Sequence, residues 1–367
     1  MNLSRLKLCA WPMSLVVAGT LSAYAQGNQV GNQPGISTIA STVPANGDVN
    51  PYGIVRVAKS SGNLIEGNLL ISNFNNSANL QGTGTTIVQI APDGTSSLFA
   101  QIDANNLPAP CPGGIGLTTA LAVLRTGWVI VGSLPTTGGT SATAQAGCLL
   151  VLDNQGTVAE TFYGSLINGP WDMTALDSGS TATLFVTNVL NGTVAANGNV
   201  VHGGTVVRIG LNVTPNAPPS IQSMTVVGSG FSERTDPAAL VIGPTGVGLD
   251  AKAATLYVAD SLNNRITAIP NPLTRTTSAG IGATVSQGGS LNDPLGLTVG
   301  PDGNILSVNG NNGFMVQTTP NGQQIKKFLL DSSGNPPGAG ALFGLVALKG
   351  VGTYYVDDAT NTLNLFH

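Results

Sequence analysis

The chain has 367 residues, of which 42% are hydrophobic and only 8% charged, with a formal net charge of −4. That apolar share is ample for a core and argues against disorder. With no basic patch or arginine-rich run, the chain lacks the electrostatic footprint of a nucleic-acid partner.

In chain order, residues 1–25 read as a secretory signal peptide. Arg5 and Lys7 give a positive start, Leu8 to Leu21 is apolar, and Ala23-Tyr24-Ala25 offers a small-x-small cleavage pattern before Gln26. The apolar run is interrupted by Pro12 and is short for a membrane span. No later segment approaches that length, so the mature chain is expected to be exported, periplasmic or extracellular, with no membrane span. Cys9 leaves with the leader. Cys111 and Cys148 remain, an even pair in an oxidising compartment, which predicts a disulfide; the alternative is two unpaired thiols.

Residues 26–367 predict a single all-β domain. Helical periodicity is almost absent, and one unit recurs: a small or polar residue, then Pro, any residue, often Gly, and an apolar strand. It appears as NPYGIVRVA (50–58), GPWDMTAL (169–176), GPTGVGLD (243–250) and DPLGLTVG (293–300). ALFGLVAL (341–348) lacks the proline, and GLTTALAVL (116–124) is looser, which makes six. Each is followed by a second strand ending in a polar residue, as in NLLISN (68–73), TLFVTN (183–188) and TLYVAD (255–260), and then by a third. A fourth strand follows tight turns such as PDG (92–94), NQG (154–156) and PNG (320–322), where glycine supplies the positive φ a hairpin needs. The sixth unit runs out after three strands at His367. GISTIASTV (35–43) is strand-like and has no partner of its own, so it is predicted to pair with the last unit and remove an exposed sheet edge. The fold class is therefore a six-bladed β-propeller of four-stranded antiparallel blades, the last closed by an N-terminal strand.

LYVADSLNNRITAI (256–269), preceded by PTGVGLD, resembles the core of an NHL repeat. The resemblance is specific in the fourth unit, moderate in the fifth and loose elsewhere. It implies a propeller of the broad NHL and SMP-30/gluconolactonase-like group, which contains scaffolds, binding proteins, lactonases and lyases, so the fold does not name an activity.

In such a blade the second-to-third and fourth-to-first connections share one face. Here the second-to-third loops are long in the first three blades, at 74–84, 134–147 and 189–204, and short in the last three, at 261–264, 310–313 and 359–361. A raised wall beside a lower half is expected, on the kind of loop surface where binding resides. Cys111 and Cys148 both fall on this face of the second blade, where a bridge would staple the long loop. The residue after Pro sits near the channel mouth. Tyr52, Trp171 and Phe343 there form a candidate ligand-binding cluster that could stack on a sugar, or simply plug the channel. The second-strand ends form a ring of Asn73, Ser133, Asn188, Asp260, Asn309 and Asp358.

SMP-30-like lactonases hold one divalent ion with a Glu/Asn/Asn/Asp set, and Asn188, Asp260 and Asn309 resemble part of it. This would take Ca2+ or Mg2+. The acidic member expected near the first blade is missing, since Arg56 and Lys59 flank that strand and Glu66 lies in a turn. Short polar side chains at strand ends otherwise cap their own turns. With only His202 and His367 present, a three-histidine zinc site is excluded. His202 and Glu233 are the candidate proton carriers, as in a lyase-like reaction. The leading expectation is a monomeric, cofactor-free binding or interaction module that uses the long-loop face for a small polar ligand, a carbohydrate or a protein. The alternative is a divalent-metal-dependent lactonase or lyase.

Overall fold

The computed structural model describes residues 35–367; the proposed leader lies outside the described residues. The chain enters as β1 (Ile36–Ser41), set aside for the end. Blade 1 is β2 (Val49–Arg56), β3 (Leu69–Asn75), β4 (Thr86–Ile90) and β5 (Ser96–Gln101). Blade 2 is β6 (Leu117–Val123), β7 (Val129–Ser133), β8 (Cys148–Leu152) and β9 (Val158–Phe162). Blade 3 is β10 (Pro170–Asp177), β11 (Thr181–Asn188), β12 (Val201–Thr214), β13 (Ala217–Asp236) and a short β14 (Leu240–Ile242). Blade 4 is β15 (Pro244–Asp250), β16 (Thr255–Asp260), β17 (Arg265–Pro270) and β18 (Ala283–Gln287). Blade 5 is β19 (Pro294–Val299), β20 (Ile305–Asn309), β21 (Phe314–Thr318) and β22 (Gln324–Leu329). Blade 6 is β23 (Leu342–Leu348), β24 (Gly352–Asp357) and β25 (Thr362–Phe366).

Every strand pair in these sheets is antiparallel, and five of the six sheets are four-stranded. The second strands are the most apolar because both of their faces are covered by neighbouring blades: every residue of β3 and β7 is buried. Fourth strands face solvent and read accordingly, with β22 carrying Gln324, Lys326 and Lys327. The fourth blade position beside β25 is filled by β1, which pairs from Ile36↔Phe366 to Ser41↔Thr362. Gly35 and His367 exchange backbone hydrogen bonds at 2.8 and 3.0 Å, and Thr38 Oγ1 donates to Asn364 Oδ1 at 2.9 Å. The two ends of the described chain thus close one sheet, and the ring has no open edge there.

Blade 3 departs from the repeat. β12 and β13 span 14 and 20 residues and pair well beyond the end of β11, so the predicted 189–204 loop shortens to 189–200 and its last four residues are strand. Beyond Asp236 the chain turns back as β14, pairing Asp236↔Leu240 and Arg234↔Ile242. The connection into blade 4 is therefore a hairpin, whose apolar tip carries Ala239, Leu240 and Val241 into the core.

Candidate functional site

The first strand of each blade lines the central channel, with its outer edge paired to the second strand. At the end that carries the second-to-third loops, Tyr52, Trp171 and Phe343 meet as expected. Tyr52 stacks on Phe343 at 3.9 Å and on Phe74 at 4.4 Å, with Trp171 6.4 Å from both Tyr52 and Phe343. They are not open to solvent: all three are at most 2% exposed. The β13–β14 hairpin lies over them, and Trp171 Nε1 donates to the Val241 carbonyl at 3.1 Å. Only about 10 Å³ of space is left between Tyr52, Phe74, Trp171 and Leu240. As placed, the aromatics seal the channel, and a ligand reaches them only if the hairpin moves.

The long loops are tied to one another. Thr136 Oγ1 donates to Gln81 O at 2.6 Å, joining the loops of blades 1 and 2. Gly147 N donates to Asn168 O at 2.7 Å, and Asn168 Nδ2 donates to Leu190 O and Asn191 Oδ1 at 2.9 and 2.8 Å, which brings in the blade 3 loop. Asn191 N donates to Glu233 Oε1 on β13 at 3.0 Å, and Gln81 Nε2 donates to Pro237 O on the hairpin at 2.8 Å. With the chain segments 136–147 and 233–237 between them, these hydrogen bonds form a closed circuit through the loops of blades 1–3 and the hairpin. Cys111–Cys148 is a disulfide with Cα atoms 5.3 Å apart, fastening the start of β8 to the connection ahead of β6.

The other predicted residues are dispersed. Asp260 is fully buried and held by Arg265, whose Nε and a terminal nitrogen donate at 2.9 and 2.6 Å, and by Asn263 Nδ2 at 3.0 Å. Asn309 accepts from Asn292 N at 3.1 Å and donates to Ser290 O and Asn312 Oδ1. Asn188 makes two long contacts to Gly169 N and Val186 O, both at 3.4 Å. Each side chain is taken up by hydrogen bonds within its own blade or the connection leading into it, and the Asp260 carboxylate already has a guanidinium in the place a cation would take. As placed, the set does not fit a divalent ion, and among the described residues no group of three or more His, Cys, Asp or Glu side chains could hold one. In blade 6 the register places Asp357 opposite Leu342, so Asp357, one residue before Asp358, matches Asn309 and Asp260.

His202 lies in β12, not in a loop, and is exposed, with Nδ1 3.2 Å from Ser232 Oγ. Glu233 is fully buried, and burial pushes its carboxyl up to about 7. Its Oε2 has no partner. The two therefore differ in access to a substrate: His202 has it, Glu233 does not.

Three further acids carry perturbed carboxyl groups, of which the sequence names only Asp358, as a member of the strand-end ring, and not Asp293 or Asp172. Asp293 and Asp358, on the lower half of this face, are each pushed up to about 7 by burial, with Asp236 and Asp357 respectively adding repulsion. Asp172, next to Trp171 on β10, is pushed up to about 7 by burial, opposed by hydrogen bonds from Val247 N and Met173 N at 2.9 and 2.8 Å. The available signal is positional. Gly53, Gly246, Gly296 and Gly344 occupy the same place in their units, and only GPWDMTAL puts a charge there.

No protein-family model and no curated protein matches the sequence. Solved structures do. A gluconolactonase from Xanthomonas campestris overlays with a TM-score of 0.56 at 12% identity, over 91% of this chain and 89% of that one. Regucalcin, a calcium-binding protein from Agrobacterium tumefaciens, overlays with a TM-score of 0.54 at 13% identity, over 89% and 93%. At such identities the likeness concerns the fold. The chain is a six-bladed β-propeller with the architecture shared by gluconolactonase-like and regucalcin-like proteins.

Proposed function

We propose that this protein is an exported binding module whose recognition surface is the tied wall of loops above blades 1–3. The observation that carries the reading is the closed hydrogen-bond circuit through Gln81, Thr136, Asn168, Asn191 and Glu233. Loops that merely drifted in length would have no reason to be fastened to one another and to a hairpin across the mouth. A rigid surface loses less entropy when it binds. The exposed crest carries Asn79, Thr137, Thr140, Gln145, Asn197 and Asn199, neutral donors and acceptors suited to a polar, carbohydrate-like ligand. Export is supported by the leader-like start and by the disulfide. No helix among the described residues is long and apolar enough to cross a membrane.

The test is a screen of neutral oligosaccharides by calorimetry, repeated on the double variant Gln81→Ala/Thr136→Val and on each single variant, which remove the side-chain joints of blade 1 and leave the Thr136 N to Gly82 O backbone bond. Saccharide binding that weakens in the variants supports the reading. Saccharides that bind none of these proteins, or that bind the variants equally well, overturn it.

The fold comparisons favour a second reading, the metal-dependent lactonase or lyase, because a gluconolactonase has this architecture. It requires that Asn188, Asp260 and Asn309 be released from their present partners. Metal analysis of the purified protein, thermal shifts with EDTA and with added Ca2+ or Mg2+, and lactone hydrolysis test it directly. About one metal per chain and a loss of stability on chelation would establish it.

A further inference from the structure

The channel is closed at the long-loop end but not at the other. Below the aromatic seal lies a cavity of about 220 Å³ lined by all six first strands. The first strands are buried at their upper ends and become partly exposed towards their lower ends, as in the pattern of β10 and β23. The cavity is therefore a blind shaft that opens on the face opposite the loops. Its walls are the inner edges of six strands whose backbone groups have no strand partner on that side, together with apolar side chains.

Asp172 stands at the closed end. Every first strand bulges at this level, and in four blades glycine lets adjacent backbones touch. A Cβ on Gly296 would lie 1.8 Å from Phe343 O, and one on Gly344 2.3 Å from Tyr52 O. Blade 3 instead carries a carboxyl group that reaches across to Val247 N on blade 4. Its two hydrogen bonds leave about half of a carboxylate's lone-pair positions free. Among the described residues lining the cavity, Asp172 is the one ionisable side chain. Thr119 Oγ1, also lining the cavity and on a residue only 5% exposed, has no hydrogen-bond partner. A buried acid on the cavity, with an orphaned hydroxyl on a lining residue of the next blade, calls for a ligand that brings several donors and a positive charge.

We propose that this shaft is a binding site for the primary ammonium group of a small amine, which enters from the face opposite the long loops and docks against Asp172 and Thr119. An ammonium has three donors and no acceptor, matching a carboxylate, a hydroxyl and the inner-edge carbonyls of first strands that have no strand partner on that side. The apolar walls formed by Leu121, Met173, Leu297 and Leu345 take its short hydrocarbon body. Burial disfavours the ionised form of Asp172, and an incoming cation restores it.

The experiment is calorimetry and thermal shift on the purified protein in an amine-free, phosphate-free sodium buffer, with n-butylamine as the probe. 1-Butanol is the uncharged control, and K+ and Ca2+ are the inorganic ones. Butylamine is expected to bind while butanol does not, with affinity rising between pH 6 and 8 as Asp172 ionises. Asp172→Asn is expected to lose at least tenfold in affinity, and Thr119→Val to lose severalfold. Absence of amine binding, equal binding of butanol, a site filled by K+ or Ca2+ in preference to the amine, or unchanged affinity in folded Asp172→Asn would each overturn the proposal. If Asp172→Asn does not fold, Thr119→Val decides, and unchanged affinity there overturns it.

Discussion

Replacing Cys111 and Cys148 together by alanine tests how the wall is held. The bridge closes a segment with a sequence separation of 37 residues. Chain-entropy theory puts the stabilisation of such a loop at about 4 kcal/mol, through restriction of the unfolded chain. Alanine is the appropriate replacement because both cysteines are buried, at 8% and 0% exposure. A serine pair would add two buried hydroxyls at about 1–3 kcal/mol each and confuse the result. With an unfolding entropy of about 2.1 cal/mol/K per residue over residues 35–367, 4 kcal/mol corresponds to a fall in Tm of roughly 5–6 °C. Differential scanning calorimetry reads that shift, and hydrogen exchange locates it. Amides of residues 134–147 should exchange faster, while those of blades 4–6 keep their protection. A fall of less than about 1 °C, or a loss of protection spread evenly over all blades, would refute the entropic argument.

Three other outcomes are expected. Deleting residues 35–43 uncovers the edge of β25 and should lower Tm and produce higher oligomers by size-exclusion chromatography, whereas trimming only up to residue 34 should leave both unchanged. Trp171→Phe removes the donor to Val241 O and leaves that buried carbonyl unpaired, at a cost of about 1–3 kcal/mol in denaturant unfolding, with the hairpin becoming the first protease-sensitive site. Asp172 is protonated in the fold up to about pH 7 but gives up its proton near pH 4 when unfolded. Its contribution is therefore fully present below about pH 4 and lost as pH rises to about 7, by at most about 4 kcal/mol. Asp172→Asn should flatten that part of the stability profile.

The blades were legible because the residues that build them repeat. Pro-x-Gly openings mark the first strands, apolar runs such as TLYVAD mark strands covered on both faces, and Asp-Gly or Asn-Gly turns mark the outer hairpins. The closing strand was legible by subtraction, since GISTIASTV had no partner and the last unit lacked one. The hairpin was not legible, because ALVI (239–242) adjoins the next GPTG opening and reads as a linker, and nothing local shows that its apolar side chains cover Trp171. The over-long β12 and β13 were hidden for a related reason: their register is set by each other, not by β11, over the residues that project past it. Among site residues, the aromatic cluster was visible from equivalence across repeats, but its burial was not. Asp172 is legible only by comparison across the units, as the one charge at a position that is glycine in four of them.

Sealing one end of the channel changes what the two faces of the disc can do. In an open propeller, a ligand at the mouth touches the ends of all six first strands, so any activity draws on the whole ring. Here the hairpin and three aromatic residues separate the ends. The upper face is left with a loop surface that belongs to blades 1–3 and contains no first-strand residue other than by contact through the hairpin. The lower face is left with a shaft in which Asp172 is the one ionisable side chain among the described lining residues. The same residue, Trp171, holds the hairpin from below, and its neighbour Asp172 points into the shaft. The two positions are adjacent on β10, so one strand both anchors the seal of the upper face and supplies the polar end of the lower shaft.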